Sequence, residues 1–176
     1  MAKFATGEAT IVHFLFSSKR MAWVWLVVRL YVGYEWLVAG IAKVTSPVWL
    51  GAGAGGAVKG FAMGALAKTG GEHPDVQWWY VWFLQHVVLP HASLFSNMVA
   101  VGEVAVGAAL VLGCLTGVAA FFGMFMNLNY LLAGTVSINP QLFVLQLFLV
   151  LGYRFSGYIG LDRYVLPMLR ACRFWR

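Results

Sequence analysis

Charged residues are scarce in this chain, since Asp, Glu, Lys and Arg make up only 10% of its 176 residues. Soluble domains carry about 25%. Acidic residues are the rarer kind, with 6 Asp and Glu against 12 Lys and Arg, and 61% of all residues are hydrophobic. This balance excludes an ordinary soluble domain and predicts a single integral membrane domain. The cationic excess then indicates topology and contact with anionic lipid, and no nucleic-acid partner is expected.

Cysteine and histidine are also few, which limits the metal chemistry that the chain can support. Cys114 and Cys172 are too far apart in sequence to indicate a metal motif or a disulfide framework. His86 and His91 are separated by Pro90 and do not share a helical face. Haem held within a bundle needs histidines on its spans, and the predicted spans contain none. We therefore expect neither haem nor a metal ion.

Long apolar runs dominate what remains, and they predict an all-α, four-helix transmembrane bundle. The predicted spans cover residues 21–44, 96–115, 118–133 and 141–160. A glycine-rich connection between the first two spans should be partly helical and fold over the outer face of the bundle. With Arg154 and Lys43 counted at the ends of their spans, eight basic residues fall on the side of the termini and three on the other side. This asymmetry predicts that both termini are cytoplasmic.

The first span holds ionisable residues well inside its apolar sequence. On a helix, Arg29, Gly33, Trp36, Gly40 and Lys43 share one stripe, whereas Glu35 points elsewhere. A charge that faces lipid costs about 2.5 to 3.5 kcal/mol on insertion scales. The stripe should therefore face protein or a polar cavity.

The second span carries a similar stripe, formed by Glu103, Gly107, Leu110 and Cys114. Glycines beside charged residues allow helices to approach closely, so we expect the two stripes to pack against each other.

Asn127 and Asn129 add polar groups to the third span, at a depth similar to that of the two glutamates. Two interpretations remain open. These groups can line a polar pocket or proton path within the membrane, as intramembrane ionisable residues commonly do. Alternatively, Arg29, Glu35, Glu103 and Asn129 satisfy one another in a buried structural network.

An aromatic segment, residues 77–89, precedes Pro90 and is too short to span a bilayer. It is predicted to be an interfacial or re-entrant helix. Trp79, Trp82 and His86 share one of its faces. That face can belong to an interfacial aromatic belt or can line a pocket for a flat ligand.

Three motifs resemble the DoxX family, specifically its DoxD-like branch. They are R-L-x-V-G-x-x-W-L-x-A-G-x-x-K from Arg29 to Lys43, G-E-V-A-V-G-x-A-L-V-L-G-C-L-T-G from Gly102 to Gly117, and N-L-N-Y-L-L-A-G from Asn127 to Gly134. That branch is associated with thiosulfate:quinone oxidoreductase, a membrane complex that oxidises thiosulfate to tetrathionate with quinone as acceptor. The resemblance implies a multi-pass protein of a prokaryotic cell membrane.

Two functions follow from the resemblance and the residues together. In the first, the chain is the membrane subunit of a quinone-linked oxidoreductase. Glu35 or Glu103 would then exchange protons with the quinol, since buried carboxylates can fill that role. The other residues expected at the quinone site are Arg29, Trp36, Asn127, Asn129, Trp79, Trp82 and His86. In the second, it is a non-catalytic accessory subunit of a larger respiratory or photosynthetic membrane complex.

Overall fold

The computed structural model describes residues 14–16 and 18–173, with side chains described as far as residue 169. All regular structure in these residues is helical, with no strand among them. The helices are α1 (Ala22–Val44), α2 (Gly56–Leu66), α3 (Trp78–Phe83), α4 (Ala92–Leu112), α5 (Thr116–Leu132), α6 (Asn139–Leu151), α7 (Tyr153–Ser156) and α8 (Asp162–Arg173). The predicted all-helical architecture is therefore confirmed for the described part of the chain.

Two helical runs are long and apolar enough to cross a membrane, Lys19–Val44 and Ala92–Leu112. Helices α5 and α6 are also apolar, but they are shorter, at 17 and 13 residues. At 1.5 Å per residue, α6 covers only about 20 Å. Length and composition alone thus identify two candidate spans in the described residues, where the sequence predicted four.

Helices α1 and α4 pack antiparallel through glycines that leave no room for a side chain. A Cβ atom on Gly40 would lie 2.6 Å from the backbone nitrogen of Val104. A Cβ atom on Gly107 would lie 2.6 Å from the backbone nitrogen of Leu37. Gly33, Gly40 and Gly107 are buried, so the two glycine-bearing stripes meet as predicted.

The two helices are staggered along their common axis. Lys43, one residue before the end of α1, lies opposite Glu103, which is in the middle of α4. Because Gly40 lies against Glu103 and Val104, α1 ends near Ala100, and the first turns of α4 extend beyond α1 by about 12 Å. This stagger exposes one flank of α4, which the connection after α1 then covers.

The connection after α1, residues 45–91, contains α2 and α3, and we call it the cap. Helix α3 continues into a π-helical segment, Leu84–Val88, before Pro90. The hydroxyl of Ser96 on α4 donates to the carbonyl oxygen of Trp49 at 2.7 Å, which ties the start of the cap to α4. The prediction that this connection is partly helical, with a short aromatic helix before Pro90, is confirmed.

The α4–α5 turn lies earlier than predicted. The sequence placed it at residues 116–117, but α4 ends at Leu112 and Thr116 already begins α5. Gly113 ends α4 with a φ of 67°, a conformation that glycine adopts without strain. The carboxylate of Asp162 then accepts hydrogen bonds from the backbone N–H groups of Leu115 and Thr116. Asp162 lies 46 residues after Thr116, so the sequence next to the turn gives no sign of this capping interaction.

The fourth predicted span, residues 141–160, is not one helix. Helix α6 begins earlier, at Asn139, ends at Leu151, and is separated from α7 by Gly152. Gly152 lies against the indole of Trp25, where a Cβ atom would meet the ring at 3.4 Å. The helix is therefore interrupted at Gly152, beside the first turns of α1.

Candidate functional site: a cavity beside a buried ion pair

A large cavity of about 840 Å³ lies between α4, α5 and the cap. Gly102, Ala105 and Ala109 of α4 form part of its wall, and their small side chains leave a furrow beside Phe122 and Met126 of α5. Most of the wall is apolar. Pockets of this size that are apolar with a few placed polar groups are typical of sites for small organic ligands.

One polar cluster at the wall contains an ion pair. The ammonium Nζ of Lys43 lies 2.6 Å from Oε2 of Glu103. The hydroxyl of Tyr130 donates to the other carboxylate oxygen, Oε1, at 2.7 Å. Lys43 and Tyr130 line the cavity, whereas Glu103 is 1% exposed and lies behind them.

The Lys43 side chain is held on two sides. Glu103 accepts one of its hydrogen bonds, and its Nζ lies 5.1 Å from the centroid of the Trp49 ring, a cation–π distance. A lysine ammonium has three donors. Within the described residues Nζ donates to one acceptor, Glu103, so two of its donors remain unused.

A second polar group lies where the cap meets α5. The hydroxyl of Tyr80 donates to the backbone carbonyl of Asn129 at 2.9 Å and lies 3.3 Å from its side-chain Oδ1. Tyr80 and Asn129 line the cavity. Burial raises the pKa of Tyr80 to about 12 because the phenolate is poorly solvated there. The Tyr80 hydroxyl therefore stays protonated, and able to donate, well above neutral pH.

Arg29 does not line the cavity and lies far from its Lys43 end. Along α1 it is about 21 Å from Lys43 at 1.5 Å per residue. The guanidinium of Arg29 is buried and donates through Nη2 to the carbonyl oxygen of Ile159 at 2.7 Å. Gly113 and Gly160 pack directly against the guanidinium. Arg29 therefore joins the α4–α5 turn to the segment before α8.

Glu35, Trp36 and Asn127 also lie outside the cavity wall. Glu35 is partly exposed and makes no hydrogen bond or ion pair within the described part of the chain. Trp36 packs its ring 6.4 Å from that of Tyr130, on the core side. Asn127 donates to Oε1 of Gln146 on α6 at 2.6 Å. The alternative network, in which Arg29, Glu35, Glu103 and Asn129 satisfy one another, does not form.

The aromatic face of the cap points away from the cavity. Trp79 and Trp82 are exposed, and Trp82 stacks on His86 with 5.0 Å between ring centroids. The opposite face of the same segment supplies Tyr80 and Leu84 to the cavity wall. Of the residues predicted at the site, Asn129 lines the cavity, and Glu103 reaches it through its partners.

Lys43 and Tyr130 were not predicted as site residues, although both left a signal in the sequence. Lys43 shares the buried stripe of α1 with Gly40, and Tyr130 follows Asn129 in an otherwise apolar helix. What the sequence does not contain is the stagger that sets Lys43 against Glu103. Among the described residues no group of three His, Cys, Asp or Glu could hold a metal ion.

Comparisons with protein-family models, with curated proteins and with solved structures found no match for this chain.

Proposed function

We propose that the chain is an integral membrane protein in which α1, α4, α5 and α6 with α7 are the four spans, and that both termini are cytoplasmic. The surface supports this assignment because it is inverted relative to a soluble protein. Large apolar side chains such as Trp23, Val27 and Phe122 are exposed, while Arg29 and Glu103 are buried. An apolar surface of this extent would be an aggregation hazard in water and is ordinary in lipid.

Within that bilayer, the chain would act as the membrane subunit of a quinone-linked oxidoreductase, similar to thiosulfate:quinone oxidoreductase. The observation that supports this function best is the cavity, with its apolar furrow and the Lys43 and Tyr130 groups at one place on its wall. A quinone likewise combines an apolar part with a polar part, namely an apolar chain and two ring oxygens that accept hydrogen bonds. The residues present therefore fit the ligand.

The protein groups at the wall would bind and orient the ring. A bound quinone supplies two-electron, two-proton redox chemistry at its ring oxygens. Lys43 and Tyr130 are the polar groups that reach the cavity beside the buried carboxylate, and Tyr80 with Asn129 forms the other polar position. Met126 and Phe122 would exclude water from the space between them.

A direct binding measurement tests this function. The purified chain in lipid nanodiscs should bind a short-chain ubiquinone saturably, with quenching of tryptophan fluorescence because Trp49 lines the cavity. Replacing Ala105 with Phe, which fills the furrow, should abolish that binding and leave the fold intact. Partitioning of the quinone into empty nanodiscs is the control. Quenching that does not saturate, or that Ala105→Phe leaves unchanged, would contradict the proposal.

A second function, an accessory subunit of a larger respiratory or photosynthetic complex, is favoured by the outer surface of the cap. Trp78 is 80% exposed, and Trp79 and Trp82 are exposed beside it. Tryptophan is enriched at protein interfaces as well as at lipid headgroups. A mild-detergent pull-down from native membranes separates the two functions, since an accessory subunit should co-purify with large redox subunits and bind no quinone alone.

A further inference from the structure

The ion pair at the cavity wall has an asymmetry that decides which of its members can touch a ligand. Both carboxylate oxygens of Glu103 are already used, one by Lys43 and one by Tyr130. Glu103 is also buried behind these two residues and does not line the cavity. It can therefore act on a ligand only through them.

Lys43 has the opposite arrangement. It lines the cavity and keeps two ammonium donors beyond the one bonded to Glu103. Glu103 and the Trp49 ring hold the ammonium from two directions, at 2.6 Å and 5.1 Å. A donor held in this way loses little conformational entropy when a ligand oxygen accepts from it.

The charge of the wall specifies the chemical class of that ligand. Lys43 is the one residue with a charged side chain among the described residues that line the cavity, and Glu103 neutralises it. An anionic head group would meet no net positive charge there and would leave water at a cost. A neutral head group with an acceptor oxygen loses much less on leaving water.

We infer that Lys43 donates a hydrogen bond to a ring carbonyl oxygen of a neutral, quinone-type ligand, and that Glu103 is a positioning residue that holds and neutralises the ammonium. This inference rests on the proposed function and assigns its ligand contact. It replaces direct contact by either glutamate, which the sequence alone suggested.

The test compares three probes that share a ten-carbon chain, namely decylubiquinone, decylbenzene and decanoate. The chain in nanodiscs should bind decylubiquinone most tightly and decanoate most weakly. Lys43→Met should weaken decylubiquinone binding about tenfold or more, the usual effect of losing a hydrogen bond from a charged donor. It should leave decylbenzene binding unchanged, because that probe has no carbonyl oxygen.

Glu103→Gln separates positioning from a purely structural role through a change in selectivity. The amide keeps an acceptor for Tyr130 but leaves Lys43 with an unbalanced positive charge at the wall. Decanoate binding should therefore rise about tenfold while decylubiquinone binding falls. A residue that merely supports the fold would lower the affinity for all three probes together.

The double variant Lys43→Met/Glu103→Gln is the control for misfolding, because it leaves no buried unpaired charge. It should bind decylbenzene like the wild type and decylubiquinone as weakly as Lys43→Met does. The inference is wrong if Lys43→Met and the double variant bind decylubiquinone like the wild type, or if decylbenzene binding falls equally. If the wild-type protein binds no decylubiquinone, the proposed function itself fails, which is a distinguishable result.

Discussion

At the scale of single residues, the buried carboxylate of Glu103 depends on two donors from two different helices. Lys43 comes from α1 and Tyr130 from α5, so Glu103 on α4 joins three helices at one point. When a buried charge loses one partner, its desolvation is no longer compensated and the protein is destabilised. The contribution of each partner can therefore be measured by substitution.

Tyr130→Phe should lower the free energy of unfolding by about 1 to 3 kcal/mol, the usual cost of leaving a buried acceptor unsatisfied. The aromatic contacts of Tyr130 with Trp36 and Phe61 would remain, so the loss reports the hydroxyl alone. Thermal unfolding in detergent measures it. Tyr34→Phe is the matched control, because Tyr34 is exposed and should give no loss. Equal stability of Tyr130→Phe and wild type would contradict the hydrogen bond.

At the scale of elements, the stripes of α1 and α4 could be predicted from sequence because glycine spacing and buried charge fix which faces meet. The residues that pair across them could not. Which residue of α1 faces Glu103 depends on the stagger, and the sequence has no marker for it. Arg29 was harder still, since its partner is a backbone carbonyl 130 residues away. The aromatic segment could be located and its helix predicted, but not which of its faces turns inward.

Gly107→Ala should destabilise the α1–α4 pair by about 1 to 3 kcal/mol, as overpacking does. The new Cβ atom would press on the backbone of Leu37, which cannot move without separating the helices. Gly60→Ala on α2 is the control, and its effect on the free energy of unfolding should have the opposite sign. It meets nothing within 4 Å and should stabilise by up to about 1 kcal/mol through helix propensity. Chemical unfolding of both variants in one detergent gives the comparison.

The attachment of the cap should weaken at alkaline pH. The pKa of Tyr80 is raised from 10 to about 12 in the folded state. Its contribution is therefore complete below pH 10 and is lost as the pH rises through 12, because the unfolded chain deprotonates first. Exchange of backbone amides in the cap should increase over that interval. Tyr80→Phe should lack this component of the pH dependence, and the same slope in both proteins would contradict it.

At the scale of the whole molecule, the helical class and the position of the cap could be predicted from composition and apolar runs. The lengths of the helices predicted as the third and fourth spans could not. Within the described residues, only two helical runs are long and apolar enough to span a membrane, since α5 and α6 have 17 and 13 residues. The proposed four-span topology therefore needs its own measurement.

Single cysteines placed in a variant without Cys114 and Cys172 give that measurement in intact cells. Ala67→Cys in the cap should react with a membrane-impermeant maleimide added outside, because Ala67 is exposed and the cap is proposed to be external. Arg163→Cys should react only after the cells are opened, since it lies in α8 near the terminus that is proposed to be cytoplasmic. Labelling in the reverse order would show that the orientation is inverted.

The carboxylate of Asp162, which caps the start of α5, also has a consequence for biosynthesis. Thr116 is synthesised 46 residues before Asp162, so the α4–α5 hairpin is made while its turn still lacks this partner. Leu115, held at a φ of 50°, depends on the same carboxylate. The hairpin is therefore completed late in translation, and a chain truncated before Asp162 would be a substrate for quality-control proteolysis even though all its apolar helices were made.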